Sequence, residues 1–176
     1  EQIIEHEPGH FSFAAFNRDY LARHEGFSMM VLGTENGRAD IKAWSAAGLT
    51  TYEPFDFSRK AAMPDGEEIT IGFSLAQTST AEAPWFGHFA CQHLRPDYYA
   101  QPQYMQHANT ARAVADVWIV ADRAAQIALH VAAFVGGRGT PEAGTITFAT
   151  PSGKIVLCNP DSFAAAFGVA PPHFDD

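Results

Sequence analysis

Apolar positions in this chain fall into short runs, separated by glycine, proline and small polar residues, and their spacing alternates between two periods. Residues 11–25 carry Phe13, Phe16 and Tyr20 at the three-to-four spacing of one helical face, and Gly26 is expected to close that helix. Residues 27–33, FSMMVLG, are an apolar run of strand length, and Asn36 and Gly37 follow as turn residues. A helix is expected over 38–47, with Ile41, Trp44 and Ala47 on one face and Gly48 at its end. Residues 52–60 and 68–77 read as a hairpin around the turn Pro64-Asp65-Gly66, with Pro54 placing the start of the first strand at an edge or a bulge. Residues 85–94, WFGHFACQHL, are a further strand. Two prolines argue against one continuous helix in the aromatic, polar connection 95–112. A strand over 113–121 leads to a helix over 122–135, with Asp122 as N-cap, Ile127, Val131 and Phe134 on its apolar face, and His130 off that face in solvent. The hairpin 144–158, a short helix over 160–168 and a mobile tail complete the chain.

The two halves share this pattern. The strand from Ser28 to Leu32 matches Asp116 to Val120, 88 residues on; Gly48 matches Gly136 at the same offset; Pro64-Asp65-Gly66 matches Pro151-Ser152-Gly153 at an offset of 87. The repeated unit reads as β-α-β-β, with a further strand in the first copy and no fourth strand visible in the second. Two such units joining their sheets would make a concave surface suited to a pocket. The expected organisation is a connecting segment over 1–25, a first module over 26–94, a linker over 95–112, a second module over 113–170 and a tail over 171–176.

Composition narrows the function classes. The 176 residues are 47% hydrophobic, including 14 Phe, and carry a formal net charge of −9 with no basic run. A nucleic-acid binder that tracks phosphates needs the opposite balance. No apolar run approaches the length of a membrane span, and no signal peptide is evident. Cys91 and Cys158 sit in apolar strand text without zinc-like spacing, which points to reduced thiols and a cytoplasmic setting. The abrupt start at Glu1, without methionine, suggests a further part upstream.

The stretches HEPGHFSFAAFNRDYLARHEG (6–26), EPFDFSRKAAMPDG (53–66), FACQHLRPDYYAQPQYMQHANTA (89–111) and VADVWIVADRAA (114–125) resemble the glyoxalase-like branch of the vicinal oxygen chelate superfamily. That superfamily is built from βαβββ modules and includes glyoxalase I, extradiol dioxygenases and bleomycin-resistance proteins. The resemblance implies an α+β fold of repeated βαβββ modules, with mixed curved sheets around an open concave pocket and helices on the outer face. It also implies a bacterial protein acting on a small molecule, with a divalent metal as the cofactor of its metal-dependent members. Those members take His or Gln from a module's first strand and Glu from its last. Here Ser28 and Asp116 stand near the first-strand position, and Gln92 or His93 replaces the Glu.

On 85–94, alternation separates Phe86, His88, Ala90 and Gln92 from Gly87, Phe89, Cys91 and His93. The Phe89/Cys91 side is expected to pack on the helix and the His88/Gln92 side to line the cavity. His88, Gln92 and Arg59 are therefore the candidate substrate contacts, the arginine as a fork for an anionic group. His93 and His107 are the candidates for proton transfer, and Gln92, His93 and Asp116 the candidate metal donors. Three functions stay open: a metal-assisted lyase or isomerase, a metal-free protein that binds a small aromatic molecule, and an interaction module that forms a homodimer through unpaired sheet edges.

Overall fold

The computed structural model describes residues 3–98 and 101–172. The expectation for the last four tail residues and for Tyr99 and Ala100 of the linker falls outside them. The chain divides into two compact units, Glu1–Arg112 and Ala113–Asp176.

The first unit opens with α1 (Phe13–Leu21), where the Ser12 hydroxyl accepts the Ala15 N–H at 3.1 Å. The helix ends at Ala22, short of Gly26, whose φ of +134° belongs to the following loop. Then come β1 (Met29–Thr34), α2 (Gly37–Ala46), β2 (Thr50–Thr51), β3 (Phe55–Ala62), β4 (Glu68–Ser79) and β5 (Gly87–His93). Asn36 caps α2 through a 3.0 Å bond from the Ala39 N–H. The sheet runs β1-β5-β4, with β2 and β3 both paired to β4. The β1–β5 pair is parallel and the others are antiparallel, so α2 belongs to a crossover connection.

Register assigns every side chain to a face. Ser74, Ala76, Thr78, His88, Ala90 and Met30 share one, and all are buried. This is the α2 face. A Cβ on Gly37 would lie 3.4 Å from the Ala76 Cβ, and Arg38 donates to the Ser74 hydroxyl at 3.2 Å. The small side chains let the helix approach closely. On the opposite face α1 covers one end. Phe13 meets Phe89 edge-on at 5.1 Å, and a Cβ on Gly87 would press on Met29 and Phe16.

The second unit contains β6 (Asp116–Val120), α3 (Ala124–Val135), β7 (Thr140–Glu142), β8 (Thr145–Thr150), β9 (Gly153–Cys158) and α4 (Pro160–Phe167). Its sheet order is β6-β9-β8-β7, with β6 and β9 parallel. That is the order β1-β5-β4-β3 again, so both copies are βαβββ. The fourth strand that the sequence pattern did not show is β7. The same order corrects the third landmark of the repeat. The Pro64–Gly66 turn joins β3 to β4, whose counterpart is the β7–β8 turn at Ala143-Gly144, whereas Pro151–Gly153 joins β8 to β9.

The core of this unit gathers Ile127, Val131, Phe134, Phe148, Ile155 and Leu157. His130 is also buried, at 6% exposure, against the expectation of a solvated side chain; it lies one turn from Ile127 and stacks on Phe134. Arg123, not Asp122, occupies the N-cap of α3. The fold is thus α+β, with mixed curved sheets and, among the described residues, four α-helices.

Candidate functional site

The face of the first sheet opposite α2 carries half-exposed rings around the buried Ile71 and Leu75, and its residues form rows across the strands. One row is Phe57, Phe73 and His93 on β3, β4 and β5. The next is Phe55, Leu75, Cys91 and Gly33. A third holds Gln77, Phe89 and Val31. Arg59 flanks Phe57 on the other side, opposite Ile71.

The aromatic row is tightly ordered. Phe57 and Phe73 have ring centroids 4.9 Å apart with planes 19° from parallel, and Phe55 stacks on Phe57 at 5.5 Å and 22°. Two coplanar rings cannot come within 4.9 Å, so Phe57 and Phe73 stack face to face. His93 meets Phe73 edge-on at 4.9 Å. Ring edges carry the positive end of the aromatic quadrupole, which suits the π face of a flat ligand or an anionic group. Phe55 is 49% exposed and Phe57 37%. Gly33 is exposed, with nothing within 4 Å of the position a Cβ would take, so the second row ends in an open notch beside Cys91.

Electrostatics distinguish His93 from an ordinary surface histidine. Burial lowers its pKa below the usual imidazole value, so the neutral ring predominates at neutral pH. Burial likewise raises the Cys91 thiol and keeps it protonated. Arg59 is exposed and makes no ion pair among the described residues. At the covered end Gln77 is 2% exposed, and its side-chain amide finds no hydrogen-bond partner among the described residues.

The structure therefore reverses the expected faces of β5. His88 is 2% exposed on the α2 side, where Phe86 meets it edge-on at 4.5 Å. The Gln92 side-chain oxygen Oε1 accepts the Gly37 N–H at 3.3 Å and helps cap α2. Of the candidate residues, His93 and Arg59 share the open face, while His88 and Gln92 share the helix-packed one. His107 is exposed in the linker, where its backbone carbonyl accepts the Thr110 N–H. Asp116 lies in the second unit, with its carboxylate 3.5 Å from the Lys154 ammonium. The sequence reading missed Phe55, Phe57, Phe73 and Gly33; alternate phenylalanines on a strand with an edge proline were the available signal.

A family model for the glyoxalase-like domain matches residues 3–135. The chain belongs to the glyoxalase-like domain family. A hypothetical protein from Staphylococcus aureus has a similar fold, with a TM-score of 0.66 and 12% identity over 84% of this chain. This chain covers 58% of that protein, so it spans under two thirds of its length. Two weaker likenesses are a glyoxalase family protein from Bacillus cereus (TM-score 0.38, 10% identity, 78% of this chain and 93% of that one) and a glyoxalase/bleomycin resistance protein/dioxygenase from Nocardioides (TM-score 0.32, 11% identity, 90% and 98%). No curated protein matches the chain.

The superfamily's divalent metal can be tested against these donors. Gln92 and His93 are consecutive on β5 and point to opposite faces, so one ion cannot take both. Among the described residues no group of three His, Cys, Asp or Glu side chains converges to hold a metal ion. The described residues therefore do not fit a resident metal. No helix among the described residues is long and apolar enough to cross a membrane. In the second unit a cleft of about 490 Å³ opens beside the start of α3, with Asp122, Arg123 and Glu142 in its lining; the lining contains no histidine or cysteine.

Proposed function

We propose that this glyoxalase-like chain binds a small, flat, apolar or aromatic molecule on the open face of the first sheet, in contact with Phe57, Phe73 and His93. The observation that carries the reading is the row of half-exposed rings that runs from Phe57 through Phe73 to His93, one strand from the Gly33 notch. Aromatic side chains left in solvent in an ordered array are costly unless something covers them. Arg59, on the same face, supplies a fork for a carboxylate, which makes a flat aromatic acid the preferred ligand.

Calorimetric titration with 2-naphthoate tests this. Binding is expected to weaken several-fold in Phe57→Ala and in Phe73→Ala, as loss of one edge-to-face contact implies. Arg59→Ala is expected to weaken 2-naphthoate and leave 2-naphthol unchanged. Equal affinity in all four proteins would refute the site.

A second reading keeps the row but adds chemistry: a lyase or isomerase in which His93 moves a proton. It is favoured by the neutral imidazole at the end of the row. Turnover of a bound ligand that is lost in His93→Gln, with binding retained, would distinguish it from simple sequestration. A cytoplasmic setting accords with two free thiols.

A further inference from the structure

The strand β3 is the outer strand along most of one side of the first sheet. Seven of its eight residues are exposed, and its backbone pairs with β4 alone among the described residues. The turn fixes which groups face outward. The Met63 N–H bonds the Glu67 carbonyl, opposite it in the β3–β4 register. Hydrogen-bonded positions alternate, so Ala61, Arg59, Phe57 and Phe55 point their backbone groups at β4. Asp56, Ser58 and Lys60 point theirs into solvent. An open strand of this length is a template for another strand.

We infer that β3 pairs antiparallel with β3 of a second copy of this chain, about a two-fold axis through Ser58. Its own sequence selects that register. With Ser58 opposite Ser58, Asp56 of each copy lies opposite Lys60 of the other, and Phe57 lies opposite Arg59. Opposed charges and a cation over an aromatic ring both favour direct cross-strand neighbours. A shift of one position toward the C-terminus would set Arg59 against Arg59. A shift toward the N-terminus would set Pro54, which has no N–H, against Lys60 and lose both ion pairs.

The surroundings reinforce the choice. Asp56 already pairs with Arg38 at 2.6 Å, and Lys60 with Glu68 at 2.5 Å. Joining the copies would produce the run Arg38, Asp56, Lys60, Glu68 with alternating sign, twice over. Ser58 and its two flanking pairs would exchange six backbone hydrogen bonds. The open faces would then continue across the axis, each Arg59 beside the Phe57 of the other copy. This pairing does not depend on the ligand reading.

Sedimentation velocity across the micromolar to millimolar range tests it. The wild-type chain is expected to reach twice the monomer mass. Ser58→Pro removes an outward N–H, which an edge strand tolerates, so it is expected to remain monomeric with an unchanged circular dichroism spectrum. Lys60→Glu is expected to raise the dimer dissociation constant at least tenfold, and Asp56→Lys combined with Lys60→Glu to recover part of that loss. Ser58→Cys is expected to cross-link under oxidation, because directly paired Cα atoms lie about 5.5 Å apart. Arg59→Cys is expected not to cross-link. A wild-type monomer throughout the range, or a dimer that survives Ser58→Pro, would overturn the inference.

Discussion

The two faces of the β1–β5 sheet are made from the same strands and differ in what they hold. The α2 face carries Ser74, Ala76, Thr78 and Ala90, small side chains buried under a helix that approaches to the Ala76 Cβ. The other face carries Phe55, Phe57, Phe73 and His93, large rings left partly in solvent. A surface built only for stability would bury the rings and expose the small polar groups. The second face also buries Ile71, Leu75 and Gln77, so the contrast lies in its half-exposed rings, which the proposed ligand would cover, against the close helix packing that secures the first face.

Substitutions on the two faces should therefore separate stability from binding. The largest loss of stability is expected on the packed face. Ala76→Leu adds bulk where there is no room, and should cost about 1–3 kcal/mol by denaturant unfolding. Phe57→Ala removes a half-exposed ring from its stack and should cost about 0.5–1.5 kcal/mol, but with a several-fold loss of 2-naphthoate affinity. Gly33→Leu grows into open space; stability should stay within about 0.5 kcal/mol of wild type while the filled notch excludes the ligand. If Gly33→Leu destabilises as much as Ala76→Leu, the distinction between the faces fails.

The smallest effect is electrostatic. Burial holds the folded His93 pKa below its unfolded value near 6.5, so the unfolded chain binds more protons as pH falls. The His93 contribution is complete above that value and is lost as pH drops from about 6.5 toward the folded pKa. Unfolding free energy measured against pH should fall less steeply over that window in His93→Gln than in wild type.

Most of the fold was legible because burial writes its period into the sequence. The run FSMMVLG, the Pro64-Asp65-Gly66 hairpin and the Ile127, Val131, Phe134 face all correspond to observed elements. β7 was not legible: its three residues, Thr140–Glu142, are all exposed and include a proline, so no apolar pattern marks them. His130 was misplaced because the buried stripe of α3 is wide enough to include the position three after Ile127. The faces of β5 were reversed for a related reason. Alternation separates His88 from His93 but does not say which side the helix takes; the size of Ala90 and Ala76, neighbours across the strands, decides that, and their pairing lies outside any local pattern. The aromatic row needed three strands in register before it could be seen.

The central claim is that the open face receives the ligand. A titration of the isotopically labelled chain with 2-naphthoate, followed by NMR, tests it most directly. Shifts concentrated at Gly33, Phe57, Phe73 and His93, with Ser74, Ala76 and Ala90 unmoved, are the expected result. Saturable shifts confined to the α2 face or to the second unit, or no shifts at all, would contradict it.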